Sequence, residues 1–539
     1  MPWTQVYAPL QGPLASALLA AAPLAVLLAL LAWGRFPGWV PGLAGLACAL
    51  VVAMAAWRMP PAPALSAALL GAAFAAFPIL WIVVAALWVY SLCVESGSFA
   101  VIRRTLSSVS SDGRLLALLI AFAFGAFLEG AAGFGTPVAI TTAMLVGLGF
   151  EPTAAAVLCL LANSSPVAFA AAGVPVEVAA QVSGLDVMAV SRLIGRQLPV
   201  LSLIVPLWMC VLLCGWKRSL EVLPAILVAG VTLAVTQLLV ATLAGPWMTG
   251  IVSGLATMAA LVLFLRAWKP GSAWRPPQWT PQPAAARVTP AQALRAWAPF
   301  LLMSVMVLLW GTAPVKGLLA PLGLSIRWPL LDGAVLRGPP VTAVVQPYPA
   351  VLGLSLLSAP GTAIFLSGLL AVPLLPGLGI RRALACFGRT VKTLRYTILT
   401  VCLVLATAYV MNYSGMSATL GLALAGTGAL FPVFSPLLGW FGVLLTGSDT
   451  SSNALFCSLQ RATAERLGID PVLAVAANTS GGVAGKMVSP QSLSVAAASA
   501  GLPGGEGRLL RRVIVHSVAM ALVVSAIVLL QATVLRGIP

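Results

Sequence analysis

The stretch AFAFGAFLEGAAGFGTPVAI, residues 121–140, carries one carboxylate, Glu129, in an otherwise apolar run. It then loosens into Gly130, Gly133 and Gly135 ahead of Thr136 and Pro137. No other charge occurs from Leu115 to Phe150. An apolar run of about 18 residues or more is long enough to cross the ~30 Å hydrocarbon core of a bilayer as a helix. The alternation of a barrel strand is missing. The glycines and the proline break that helix at a depth where irregular backbone survives only beside protein or a wet cavity. A carboxyl in such surroundings prefers its neutral form. Its presence at membrane depth points either to a buried hydrogen bond or to a role in transport.

The rest of the 539-residue chain has the same character: 60% of its residues are hydrophobic and 8% are charged. A soluble domain carries roughly 25% charged residues because its surface faces water. The net charge of +17 does not point to nucleic acid, since the basic residues sit in short clusters between apolar runs. Such clusters are Arg103, Arg104 and Arg114, then Lys217 and Arg218, then Arg381, Arg382, Arg389, Lys392 and Arg395. That distribution follows the positive-inside bias of membrane proteins. The eight cysteines all lie in or beside apolar stretches, with spacing that fits neither a metal site nor a disulfide framework.

These features predict an all-α polytopic membrane protein with about 12 to 14 crossings of ~20 residues each. Apolar runs at 14–33, 38–57, 78–94, 197–216, 222–244, 250–268, 296–314, 350–375, 396–412 and 513–535 are the plainest. Arg35 follows the first run instead of preceding it, which places the N-terminus outside. Lys316, Arg327 and Arg337 then dissent, falling on the outer side. The Pro-rich stretch 269–295 reads as a cytoplasmic linker between membrane halves 1–268 and 296–539. The basic run 381–395 reads as an amphipathic helix on the inner leaflet.

Two interrupted regions, near 115–175 and 435–500, resemble each other. FGAFLEG (124–130) answers FGVLLTG (441–447), LGFEP (148–152) answers LGIDP (467–471), and Ala162–Asn163 answers Ala477–Asn478. Paired, Gly/Pro-interrupted segments in two halves predict two inverted repeats with broken or re-entrant helices meeting near the midplane. In the second region the carboxylate is Asp449, within TGSDTSSN (446–453), and Lys486 is the sole cation between Arg466 and Arg508. The proton-coupling candidates are therefore Glu129 and Asp449. For a small anion, the candidates are Gly133, Gly135, Thr136, Asn163, Ser164, Ser448, Thr450, Ser451, Asn453, Asn478, Thr479, Lys486, Ser489 and Gln491. Half-helix N-termini bind carboxylates through backbone N–H groups, Lys486 can supply charge, and Asn163, Asn453 or Asn478 can read a hydroxyl. The competing readings are helix packing by small residues and a snorkelling lysine. GGVAGKM is no phosphate loop, because Ser480 and Met487 stand where glycine and a hydroxyl residue are needed. His516, the sole histidine, begins the last span and reads as structural, with proton relay as the alternative.

At these runs the chain resembles the bacterial L-lactate permease family. The matching stretches include FGAFLEGAAGFGTPVAI (124–140), PVAFAAAGVPV (166–176), GRQLP (195–199), TGSDTSSNALF (446–456) and AANTSGGVAGKMVSPQS (476–492). The resemblance implies a secondary transporter of the inner (plasma) membrane. It would take up L-lactate and related 2-hydroxy monocarboxylates, such as D-lactate and glycolate, with protons and without a cofactor. Composition alone reaches only a carrier for a small anion. A carrier for a different organic anion, an anion channel, or a membrane-enzyme subunit with redox or metal ligands remain the alternatives.

Overall fold

A computed structural model describes residues 2–534 apart from 11, 34–36, 38, 134, 277–287, 343 and 503–504. The middle of the expected 269–295 linker, the topology marker Arg35 and the last residue of the 513–535 run thus lie outside the described residues. In chain order the first helices are α1 (Pro13–Trp33), α2 (Trp39–Ala55), α3 (Pro61–Phe74), α4 (Trp81–Glu95), α5 (Ser98–Ser107), α6 (Gly113–Ala117), α7 (Gly125–Ala131), α8 (Thr136–Gly147) and α9 (Pro152–Ala162). Next come α10 (Ala170–Ser183), α11 (Val187–Gln197), α12 (Pro199–Cys214), α13 (Trp216–Leu220), α14 (Leu223–Leu243), α15 (Pro246–Ala267), α16 (Pro290–Gly311) and α17 (Ala313–Leu319). The rest are α18 (Pro360–Ala371), α19 (Ile380–Ser414), α20 (Met416–Leu424), α21 (Phe431–Thr446), α22 (Asp449–Leu467), α23 (Pro471–Lys486), α24 (Pro490–Ser499) and α25 (Glu506–Thr533).

Among the described residues, ten helical stretches are long and apolar enough to cross a membrane, or eleven if the pair bent by 67° at 162–167 is one span. This is fewer than the expected crossings. The difference lies in shorter apolar helices, Trp39–Ala55, Thr136–Gly147 and Pro360–Leu374, whose length falls below a full span. Helical breaks follow the sequence. Phe77 is extended (φ −144°, ψ 128°) between α3 and α4 because the following Pro78 excludes the helical region for the residue before it.

Two expectations change. The run 350–375 is not one span: its start forms a strand, and α18 begins only at Pro360. The basic run 381–395 is not a separate surface helix either, since it is the first half of the continuous 35-residue α19. At ~1.5 Å per residue α19 is about 52 Å long, so its basic turns stand clear of a ~30 Å core.

The stretch near 315–348, expected as a loop on the outer side with Arg327 and Arg337, builds a small cap together with the start of the chain. Strands β1 (Trp3–Thr4), β2 (Leu324–Arg327), β3 (Val335–Arg337), β4 (Gln346–Pro347) and β5 (Val351–Leu354) form two sheets. β1 pairs parallel with β3, Trp3 against Val335, β3 pairs antiparallel with β4, and β2 with β5.

At the heart of the bundle, 113–131 is a fully buried span. It passes α15 at Gly130 and Gly250, where an added Cβ on Gly130 would lie 2.5 Å from the Gly250 carbonyl carbon. Only glycine permits that approach, and the crossing fixes the height of Glu129. The basic side is tied by Arg114, which is fully buried. Arg114 donates to Asp112 (2.7 Å), Glu221 (2.8 Å) and the carbonyl oxygens of Arg218 and Ser272 (both 2.7 Å).

Candidate functional site

Each interrupted region folds as helix, break, helix, and then a helix started by an acid and a proline. In the first, α7 ends at Ala131, and Gly133 (φ 57°) and Gly135 (φ 83°) turn the chain into α8. Glu151 then caps α9 by accepting from the N–H groups of Thr153 and Ala154. In the second, Gly447 (φ 72°) ends α21, the Ser448 hydroxyl caps α22 by accepting from the Ser451 N–H, and Asp470 caps α23 through the Val472 N–H. Side-chain oxygens satisfy the first N–H groups that a helix leaves open.

The second break faces the α7 helix at Glu129, one turn ahead of the first break. Glu129, Gly447, Ser448, Asp449, Thr450, Lys486 and Gln491 line one narrow pocket of about 40 Å³, closed on its other side by α10 and the short turn before it. A cavity needs roughly 10–15 Å³ of such space per water, so this one holds only a few waters. Glu129, Asp449 and Lys486 are 1%, 3% and 6% exposed. Lys486 lies within electrostatic reach of both carboxylates. It pairs with neither among the described residues: the ion pairs there are those of Arg114, Arg389 and Arg461. Its ammonium donates instead to the Gly447 carbonyl oxygen at 2.6 Å. Glu129 Oε2 and both Asp449 carboxylate oxygens have no hydrogen-bond partner. Asp449 sits in the first turn of α22, where the helix dipole favours negative charge.

The other sequence candidates divide. Asn163 faces Glu129, yet neither its amide oxygen nor its amide nitrogen completes a hydrogen bond. Asn453 and Asn478 are already engaged. Asn453 donates to the Pro175 carbonyl oxygen (3.0 Å) and accepts from Asn478 (2.9 Å) and Thr479 (3.2 Å), while Asn478 accepts from Gln460 (3.1 Å). This network ties α10, α22 and α23 together. Ser489 caps α24 by accepting from the Ser492 N–H and donates to the Lys486 carbonyl oxygen. Gly133, Gly135, Thr136, Asn163, Ser164, Ser451, Asn453, Asn478, Thr479 and Ser489 do not line the pocket. His516 packs edge-on against Trp208, with ring centroids 5.5 Å apart.

Sequence reasoning missed the wall formed by Val167, Ala170, Ala171, Val174 and Pro175. Here Ala171, Ala172 and Gly173 run consecutively in the left-handed region (φ 43°, 56° and 78°). For alanine this conformation is strained, and such strain gathers at functional sites. The signals in the sequence are Gly173 followed by Pro175 and the resemblance over 166–176.

A buried cavity with one cation, two carboxyls that carry unpartnered oxygens and a helix break on one side suits a small anion that exchanges charge with a proton. Three or more metal-ligating side chains do not cluster anywhere among the described residues.

Comparison with known proteins gives a consistent result. The sequence pattern of the family described as L-lactate permease matches residues 16–535. The chain is 46% identical over 556 residues to the glycolate permease GlcA of Escherichia coli K12, covering 99% of each. It is 44% identical over 544 residues to the L-lactate permease of Salmonella typhimurium LT2, covering 99% of this chain and 98% of the relative. It is also 44% identical over 555 residues to the L-lactate permease of Bacillus subtilis 168, covering 98% of each.

Proposed function

The chain belongs to the L-lactate permease family, and from that premise we propose that it imports L-lactate and related 2-hydroxy monocarboxylates, D-lactate and glycolate included, in symport with protons. The names of its relatives support the substrate class. The gathering of Glu129, Asp449 and Lys486 in one buried pocket supports the coupling.

The charge balance of that pocket carries the mechanism. An uncompensated charge is strongly disfavoured in low dielectric. The empty site is neutral when Lys486 is charged, one carboxyl is ionised and the other holds a proton. An entering monocarboxylate takes over the neutralisation of Lys486. The ionised carboxyl must then pick up a proton, so anion and proton bind in favour of each other. Glu129, deepest in the first repeat, is the carrier in this scheme and Asp449 the second acid. Ser448, Thr450, Gln491 and the N–H groups at the start of α22 hold the carboxylate. Asn163, behind Glu129, reads the 2-hydroxyl in this scheme, because its buried amide atoms complete no hydrogen bond.

The architecture that goes with this reading is two membrane halves, 1–268 and 296–539, joined by the 269–295 linker in the cytoplasm. Each half contributes one of two repeats inverted in the bilayer. The setting is the inner membrane of a bacterial cell. The decisive experiment is uptake of labelled lactate by proteoliposomes. A carrier of this kind concentrates lactate when the inside is made alkaline and only equilibrates it without a gradient. Equilibration alone under both conditions means a channel or uniporter.

A further inference from the structure

A second cavity, about 390 Å³, opens at the end of the bundle capped by β1, β3 and β4. Under the proposed orientation this is the outer face. Its walls continue those of the central pocket. α22 carries Asp449 and Thr450 at the inner site and Ser458 and Arg461 at the outer one, while α10 carries Val174 and Pro175 inside and Gln181 and Ser183 outside. From Asp449 to Arg461 is roughly 18 Å at ~1.5 Å per residue, about half a bilayer. Three hydrogen bonds close the seam between the cavities: Asn453 to the Pro175 carbonyl oxygen (3.0 Å), Ser458 to that of Val182 (2.6 Å) and Arg461 to that of Ser183 (2.5 Å).

The polar groups in this cavity are incomplete in a specific way. Arg337 stacks its guanidinium 4.2 Å over the Tyr348 ring, which is itself stacked on Tyr413. Its buried Nε has no hydrogen-bond partner, and it pairs with no carboxylate among the described residues. Arg461 acts electrostatically on the same Tyr348. The cavity's acid, Glu465, is already paired with Arg461 at 2.7 Å, which leaves Arg337 as its uncompensated charge. Gln181 donates to Glu177, while its buried Oε1 accepts from nothing. Arg337 is also one of the basic residues that breaks the positive-inside pattern. A cation kept on the disfavoured side of a membrane, unpaired and facing an open cavity, is placed to attract an anion.

We propose that this cavity is an outer capture subsite for a 2-hydroxy monocarboxylate, whose carboxylate accepts from Arg337 and whose hydroxyl donates to Gln181 Oε1. The subsite rests on the transport reading above and extends it. It raises the local concentration of the anion above the α10–α22 seam, so it acts on entry from outside and drops out at saturation. The test compares initial lactate uptake in right-side-out and inside-out vesicles for the wild type, Arg337→Gln and Arg337→Lys. At low ionic strength Arg337→Gln raises the outer-face KM about tenfold with the maximal rate within about twofold, and Arg337→Lys falls between it and the wild type. High salt narrows the gap by screening, and the inner-face KM stays put. An outer KM unchanged at every salt concentration overturns the subsite, and so does a KM that rises equally at both faces. A misfolded variant instead lowers the maximal rate at both faces, and Arg337→Lys, which keeps the charge, then carries the comparison. Wild-type vesicles that take up no lactate would sink the transport reading itself.

Discussion

The ammonium nitrogen of Lys486 lies 2.6 Å from the carbonyl oxygen of Gly447. The last residue of α23 is thus fastened to the turn that ends α21, between two carboxyls that it approaches without pairing. A single donated bond leaves two ammonium protons unassigned, so an arriving carboxylate can bind there without breaking an ion pair first.

Lys486→Met removes that charge while preserving the bulk of the side chain. Lactate affinity is expected to fall by about 10- to 100-fold, the weight of a charge-assisted hydrogen bond of roughly 1.5–3 kcal/mol. Counterflow exchange at increasing lactate concentration measures it. An unaltered half-saturation concentration would remove Lys486 from the anion's path.

Glu129→Gln keeps the shape of the side chain and cannot titrate. Proton-driven accumulation should disappear, whereas lactate–lactate exchange continues, because exchange needs no net proton release. Asp449→Asn is the comparator under the same assay. If Glu129→Gln still concentrates lactate on an imposed pH gradient and Asp449→Asn does not, the coupled proton belongs to Asp449.

A buried site that pairs a hydroxyl rejects analogues lacking it, since its own polar atoms are then stranded. Propionate should therefore compete with lactate at least tenfold more weakly, the scale of one lost hydrogen bond. Asn163→Leu should narrow that gap chiefly by weakening lactate. Inhibition of labelled uptake by both acids gives the ratio, and equal potency on the wild type would show that the hydroxyl goes unread.

Arg114 is the structural counterpart. Arg114→Ala strands the buried Asp112 carboxylate, while the exposed Glu221 returns to water, and should destabilise the protein by about 3 kcal/mol, as for other buried pairs cut on one side. A fall in thermal unfolding temperature in detergent reports it. Hydrogen bonding from Arg114 holds the Glu221 carboxyl below its usual range. A depressed acid of this kind stabilises the fold above the ordinary carboxylate range and loses that contribution as pH falls through its folded value. Glu221→Gln should therefore flatten the acid side of the stability profile, and an unchanged slope would show that the pair contributes nothing there.

Much of this was legible in the residues themselves. Glu129, Asp449 and Lys486 stood out because a charge in an apolar run has few bland explanations, and the structure puts all three in one pocket. Asn453 and Asn478 were equally visible but engage protein atoms instead. Sequence alone cannot tell an amide bound to its neighbours from one facing a void. The wall at Ala170–Pro175 contains no polar side chain, so only Gly173, Pro175 and the resemblance over 166–176 marked the stretch, and none gave it a place beside Glu129. Its left-handed turn is set by packing. The run 350–375 read as a span because hydropathy does not register that β5 pairs with a strand about 25 residues earlier. The continuity of α19 escaped for a related reason, since its basic half and its apolar half satisfy different solvents.

The parallel pairing of Trp3 with Val335 also sets an order of events during synthesis. A ribosome adding about 5–20 residues per second needs on the order of tens of seconds to reach the second strand. Throughout that interval the first strand has crossed or reached the membrane surface with its edge open. The strands can thus pair before α19, α20 and α22, which supply much of the wall of the same cavity, have been made. A bulky tag fused ahead of Trp3 would meet its steric penalty as the second strand emerges, and the later helices would then close around an unpaired rim.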